Sequence, residues 1–285
     1  MNIGIDIGGT FIKAGIVDKG KIIRKIAIPT EVNKEKKVVV NNVLKCVAEL
    51  VREGSINGVG IGCPGSIDHK RGMVISSTNL PIAGINFPKL IKKKFSLPAK
   101  INNDANCFAL AEFKYGAGKG SRNMIGITMG TGIGSGVITN GELYIGRGRA
   151  AELGHTIIKY NGELCNCGKR GHVEAYLGIK GIQRRFGKAL APKEIFELAQ
   201  KGNKKAIKTW QETGRYLGLF VTNIIHTFDP DVIVIWGSVA NAWKFFNMSM
   251  YATIGRERLL PKTKVVKAKL EDAGVIGAAE LVNTK

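Results

Sequence analysis

The sequence predicts an α/β fold with mixed sheets in two lobes, and three observations carry that prediction. Buried-type β runs alternate with stretches of helical spacing along the whole chain. The opening strands are joined by tight glycine turns, which antiparallel neighbours need. Finally, IGIDIGGT (3–10) and IGITMGTG (125–132) place Ile, Gly, Ile, an apolar residue and Gly in matching positions. That spacing is far too long for a solenoid period. It points to two related lobes, each opening with a β-hairpin; chance similarity of short glycine-bearing strands is the competing explanation.

Each element has its own warrant. IGIDIG (3–8) is an apolar run, Gly8-Gly9-Thr10 makes a turn, and FIKAGIV (11–17) alternates. Asp18 to Gly20 is a second turn before KIIRKIAI (21–28). Val39, Val43, Val47, Leu50 and Val51 recur at helical spacing within 35–53. INGVGIG (56–62) is a strand of the buried type, stopped by Pro64-Gly65. A loop region holding Thr78-Asn79-Leu80-Pro81 follows, then a short basic helix at 88–95. AKINN (99–103) is a strand and 104–116 a helix, with Asp104 at or near its N-cap.

The second glycine-rich strand–turn–strand begins at Ile125. Residues 203–228 form a long helix through Ile207, Trp210, Leu217, Val221, Ile224 and Phe228, ended by Asp229-Pro230. DVIVIWG (231–237) is a fully buried strand with a helix after Ser238, and AGVIGAAELV (273–282) is a helix of small residues able to pack closely.

Bulk properties exclude several classes. At 285 residues the chain can bury a sizeable core. Its 44% hydrophobic and 23% charged residues are those of a globular protein. Five cysteines, with only Cys165 and Cys167 close together, make neither a disulfide scaffold nor a C-x-x-C redox pair. Reduced thiols imply the cytoplasm. No leader is expected, since Asp6 comes too early for one, and the longest uncharged run, 124–141, is too rich in glycine and threonine for a membrane span. The net charge of +21 admits an acidic or nucleic-acid partner. The lysines are scattered, however, without clustered arginine and aromatic residues, so solvated faces explain the charge and no specific nucleic acid is expected.

Three segments carry chemistry. Asp6 precedes Gly8-Gly9-Thr10, where glycines let a backbone approach phosphate oxygens and an acid can hold a metal ion through water. A plain hairpin is the bland alternative. Gly130-Thr131-Gly132-Ile133-Gly134 offers the same from the other lobe. It is no Walker loop, lacking Gly-Lys-Ser/Thr, and no dinucleotide fingerprint, since a strand follows it. Gly237-Ser238, after a buried strand, fits a turn on the adenosine side of a nucleotide. Asn103-Asp104 stands where a strand gives way to a helix. Asp104 reads as an N-cap, as a general base taking a hydroxyl proton in phosphoryl transfer, or as both.

Taken together, DIGGT (6–10), CPGSID (63–68), TNL (78–80), NNDAN (102–106), GTGIGSG (130–136), ELGH (152–155), C-x-C-G-x-x-G (165–171), DPDVIVIWG (229–237) and DAGVIGAA (272–279) resemble the ROK family of sugar kinases. That family is a branch of the actin–hexokinase–Hsp70 superfamily, and the resemblance covers essentially the whole chain. It implies a two-lobed actin-like ATPase (ribonuclease H-like) fold with a ligand cleft between lobes. The smaller lobe would be 1–108, completed by a C-terminal helix at 273–285, and the larger 109–272.

The resemblance further implies ATP- and Mg2+-dependent phosphorylation of a hexose hydroxyl, most simply glucose to glucose 6-phosphate, with Asp104 as base. Asn79, Asn103, Asp104, Glu152, His155 and Glu174 would bind the sugar. Asp6, Gly8, Gly9, Thr10, Lys13, Gly130, Thr131, Gly132, Gly134, Gly237 and Ser238 would manage metal and nucleotide. A homo-oligomer, dimer or tetramer, is implied as well. Two departures affect fine preference: no tryptophan follows Asn79-Leu80, and the turn after Trp236 has one glycine where the family has two or three.

His155, Cys165, Cys167 and His172 match the family's structural Zn2+ spacing, with His172 where cysteine is usual. Zinc accepts Cys2His2 as it does Cys3His, leaving a neutral site. His155 would bind zinc through one ring nitrogen and face the sugar with the other. An N-acetylhexosamine kinase is the nearest alternative. A non-catalytic sugar sensor or a transcriptional regulator is more distant, because Asp104 is in place and the DIGGT segment begins at residue 6, with no winged helix ahead of it.

Overall fold

The computed structural model describes residues 1–77, 79–255 and 263–284. Three strands open it: β1 (Asn2–Ile7), β2 (Phe11–Asp18) and β3 (Lys21–Pro29). Then come α1 (Lys36–Leu50), β4 (Gly58–Cys63), β5 (Ser66–Asp68), β6 (Met73–Ser76), α2 (Phe87–Phe95), β7 (Ala99–Asn103) and α3 (Asp104–Tyr115). The chain continues through β8 (Met124–Met129), β9 (Ile133–Thr139), β10 (Glu142–Tyr144), α4 (Val173–Leu177), α5 (Ile179–Phe186), α6 (Pro192–Gln200) and α7 (Lys204–Phe228). It ends with β11 (Val232–Trp236), α8 (Trp243–Ile254), β12 (Lys264–Lys267) and α9 (Ala273–Glu280).

Two five-stranded sheets dominate, ordered β3-β2-β1-β4-β7 and β10-β9-β8-β11-β12. In the first, β1 pairs antiparallel with β2 and parallel with β4. In the second, β8 and β11 are parallel, as are β11 and β12, while β10 runs antiparallel to β9. Strand for strand the orders correspond, so the eight-residue echo in the sequence extends to a whole sheet.

By contacts the chain forms two compact units: Met1–Gly120 with Gly136–Ala150 and Lys269–Lys285, and Ser121–Ser135 with Ala151–Ala268. The first unit's core is built on the inward positions of β1, β2 and β4, with Val39, Val43, Val47 and Leu50 of α1 packed against them. The helical spacing read from the sequence is thus a core-facing stripe.

α9 lies on β1 and β4 more closely than ordinary side chains allow. A Cβ on Gly4 would clash with the carbonyl of Val275, and one on Gly60 with the carbonyl of Ala278. Gly277 meets the carbonyl of Cys107 on α3 in the same way. The small-residue composition of the final helix is what this three-sided approach requires.

Glu112 of α3 braces the same unit. Its wholly buried carboxylate accepts backbone N–H groups from Ala117 at 2.6 Å, Lys269 at 3.0 Å and Leu270 at 2.8 Å. A charged acceptor makes these bonds roughly twice as strong as neutral ones. They fix the chain near where it leaves the first unit and where it returns.

In the second unit, α7 begins at Asn203, whose side chain accepts the N–H of Ala206 at 3.0 Å. It stops at Asp229, in the left-handed region at φ 42°, directly before Pro230. The expected loop region after Pro64-Gly65 contains the β5–β6 hairpin. Strands of three and four residues are too short to show alternation. Thr78 of the TNL motif and Lys285 of the expected C-terminal helix lie outside the described residues. Among the described residues no helix is long and apolar enough to cross a membrane.

Candidate functional site

Within the first unit the site forms at the ends of β1 and β7. The cap of α3 is Asn103: its Oδ1 accepts the N–H of Ala105 at 2.9 Å and its amide donates to the carbonyl of Gly65 at 3.2 Å. Asp104 is therefore the first helical residue rather than the cap. One of its carboxylate oxygens reaches the same Ala105 N–H at 2.9 Å. Asn102 orders the corner from behind, its Oδ1 accepting from Asn103 N at 2.8 Å and from Asn106 at 2.9 Å. A helix start holding a carboxylate beside its free N–H groups is a natural place for negative charge. Asn79 is exposed.

Asp6 ends the same sheet, paired across the strands with Lys13. Burial pushes its carboxyl up to about 6, and the charge of Asp104 adds to the rise. Lys13 pulls the other way, and Asp272 raises it further. A carboxylate raised by burial and by neighbouring acids is a place where a divalent cation would supply compensating charge. Gly274 is what lets α9 reach Asp6, since a Cβ there would sit 2.6 Å from Asp6 Oδ2. Asp272 and Gly274 were absent from the residues expected at the site. Their signal was the DAGVIGAA segment, legible as a helix and as a family motif but not as a neighbour of Asp6.

The turn after Asp6 is closed by Gly8 N to Phe11 O at 3.0 Å. It is steadied by Thr30, whose hydroxyl donates to Gly8 O at 2.6 Å and whose N–H donates to Thr10 O at 2.9 Å. Nothing lies within 4 Å of where a Cβ on Gly9 would be, so its backbone is open to a ligand.

In the second unit the corresponding turn closes through Gly130 N to Gly132 O at 3.0 Å, and Gly130 likewise has open space at its Cβ position. The corner between α4 and α5 supports it: Ile179 N donates to Gly130 O at 3.1 Å, and Glu174 Oε2 accepts the N–H of Ile133 at 3.1 Å. Thr131 is exposed and Gly134 partly so. Gly237, at φ 109°, packs against the carbonyl of Met129 where any side chain would clash, and Ser238 opens a 3-10 turn.

Four further residues come together in that unit. The ligand atoms of His155, Cys165, Cys167 and His172 all lie within 4.8 Å of one another. Cys167 Sγ is 3.1 Å from His172 Nδ1, and Cys165 Sγ is 4.0 Å from His155 Nδ1. The loop folds as a knuckle, with Cys165 N to Lys169 O at 2.8 Å and Gly168 N to Cys165 O at 3.0 Å. Gly168 and Gly171 take φ values of 85° and 81°, which suits glycine.

Burial pushes the Cys165 thiol up to about 12. A thiol so raised ionises at neutral pH only with a cation at hand. Two sulfurs and two imidazole nitrogens in so small a volume fit one tetrahedral zinc ion. With Nδ1 of His155 turned to the sulfur, Nε2 is left on the far side of the ring. Glu152 caps the short 3-10 turn that carries His155, its carbonyl accepting His155 N at 3.0 Å.

The model of the ROK family matches residues 2–285. A glucokinase of Thermotoga maritima is 32% identical, over 99% of this chain and 97% of that protein. An N-acetyl-D-glucosamine kinase of Photobacterium profundum is 32% identical, over 100% of both. Among solved structures, a ROK family glucokinase from Streptomyces griseus in complex with glucose and AMPPNP superposes with a TM-score of 0.85. It shares 30% identity, with 98% of each chain covered.

Proposed function

The chain belongs to the ROK family and is an ATP-dependent sugar kinase, and we propose that it phosphorylates glucose at its 6-hydroxyl with Asp104 as the general base. The observation that carries this is the corner at β7 and α3. A carboxylate stands on the first helical residue, near the partly buried Asp6 and next to an asparagine whose amide is already oriented.

Phosphoryl transfer to an alcohol needs little from a protein beyond positioning and charge. In this reading Asp104 accepts the hydroxyl proton as the oxygen attacks the γ-phosphorus. Asn79, Asn103, Glu152, His155 and Glu174 bind the sugar's hydroxyls. The turns at 8–10 and 130–134 offer backbone N–H groups to the phosphates, with Lys13 adding charge and Gly237-Ser238 on the adenosine side. Magnesium, accompanying the nucleotide, would neutralise phosphate charge, and Asp6 would hold it through water. Zinc on His155, Cys165, Cys167 and His172 would fix the wall that carries Glu152, His155 and Glu174, away from the reacting atoms. A cytoplasmic location and a homodimer or tetramer belong to the same reading.

The similarity to an N-acetyl-D-glucosamine kinase over the full chain supports a second reading, an N-acetylhexosamine as acceptor. A coupled assay across glucose, mannose, N-acetylglucosamine and N-acetylmannosamine separates the two. Glucose with the highest kcat/KM is the expected result, and an N-acetyl sugar in first place overturns it.

A further inference from the structure

Glu174 does something in this structure that sugar binding does not require. Its two carboxylate oxygens face different partners. Oε2 accepts the N–H of Ile133, at the end of the 130–132 turn, at 3.1 Å. Oε1 receives the thiol of Cys165 at 3.4 Å while that sulfur carries its proton. The approach to the turn is tight, because a Cβ on Gly132 would clash with Oε2.

The backbone around Glu174 completes the grip. Gly178 N donates to Glu174 O at 2.9 Å, and the next residue, Ile179, donates its N–H to Gly130 O. Gly178 itself packs against the carbonyl of Thr131, which lies 3.0 Å from where its Cβ would be. Both ends of the glycine turn are thereby held by one helical corner. That corner begins two residues after His172, the last residue of the Cys2His2 cluster.

We propose that Glu174 is a positioning residue for the nucleotide: it transmits the order of the metal knuckle to the turn at 130–134. The proposal rests on the reading of that turn as a phosphate cradle. With zinc bound, Cys165 is a thiolate and no longer donates to Oε1, so the knuckle acts through the backbone. Ala175 N donates to the carbonyl of His172 at 3.0 Å, tying the cluster's last ligand to the helical turn that carries Glu174. From there the carboxylate holds the N–H of Ile133, and so the orientation of the neighbouring N–H groups that would face phosphate oxygens. The consequence separates from sugar binding. Loss of the knuckle or of the carboxylate weakens nucleotide affinity even with no sugar present.

The test is direct titration of AMPPNP with magnesium, without sugar, by calorimetry. It uses the wild type before and after zinc chelation, then Glu174→Ala, Glu174→Gln, Gly132→Ala and Gly132→Ala/Glu174→Ala. We expect AMPPNP Kd to rise about tenfold for Glu174→Ala and on chelation. Glu174→Gln, which keeps an acceptor for Ile133, should recover most of that loss. Gly132→Ala should be impaired as well, and the double variant should be no worse than Glu174→Ala, because the clashing carboxylate is then gone. Thermal melts in parallel identify variants that bind poorly only because they unfold. Wild-type nucleotide affinity in a folded Glu174→Ala protein overturns the proposal while leaving the kinase reading intact. Failure of the wild type to bind AMPPNP at all overturns both.

Discussion

The two glycine turns stand at equivalent places in sheets of the same strand order, yet they obtain negative charge and support differently. The turn at 8–10 follows an acid on its own strand, Asp6, and is steadied by Thr30 of the same sheet's edge. At the strand position equivalent to Asp6 the second sheet has Thr128, and no acid. Its turn takes a carboxylate from α4, 41 residues on. A duplicated scaffold can thus keep its backbone cradle and relocate the acid. Among the described residues no backbone N–H donates to the first turn's acid, whereas one oxygen of the second turn's acid holds backbone.

Experiments can break that asymmetry in order of effect. Asp104→Asn should reduce kcat by roughly 10²–10⁴-fold, with glucose affinity by calorimetry little changed. A near-normal kcat would move the base elsewhere. Next, Cys165→Ser should lose bound zinc by metal analysis, lower the melting temperature and raise the glucose KM by about tenfold or more. Unchanged glucose KM in zinc-free protein would detach the knuckle from the sugar wall.

The third experiment uses pH. Asp6 has a folded pKa of about 6 against an ordinary 3.8, so between those values the folded state binds more protons than the unfolded. Its contribution therefore favours folding below about pH 4 and is lost as pH rises through 6, by about 3 kcal/mol at most. Melting temperatures of Asp6→Asn and wild type should converge at or below about pH 4 and separate in favour of the variant by pH 7. Parallel curves would mean that Asp6 is not the stressed group. The smallest effect concerns the open glycines. Gly9→Ala and Gly130→Ala meet no neighbour, so each should cost stability less than about 1 kcal/mol while raising the ATP KM. Gly60→Ala, driven into the carbonyl of Ala278, should cost about 1–3 kcal/mol or more.

Much of the fold was legible because its signals are local. β1, β2, β3, β7 and α7 follow from alternation, turns and apolar spacing in continuous stretches, and the repeat was visible in eight residues. β10 and β12, at three and four residues, have too little length for a period to register. The His and Cys cluster was legible for the same reason as α7: its four residues fall within one short window. Glu174 was found as a residue but not as a contact of Ile133, since no local pattern encodes a bond between a helix and a turn that far apart. The cap of α3 shows the limit at its finest. Asn103 and Asp104 both suit an N-cap, and only the backbone geometry gives that role to Asn103 and leaves Asp104 in the first helical turn.

The brace at Glu112 and the bed for α9 have a consequence for synthesis. Residues 1–120 leave the ribosome first, but the helix that covers Gly4 and Gly60, and the Lys269 and Leu270 N–H groups that Glu112 accepts, arrive only with residues 269–280. At roughly 5–20 residues per second the growing chain waits on the order of ten seconds with that sheet face bare and that carboxylate short of donors. Of the two units, the one whose strands come first in the chain is therefore completed after the other. A nascent chain stalled before residue 269 would present an uncovered β-sheet to chaperones and proteases.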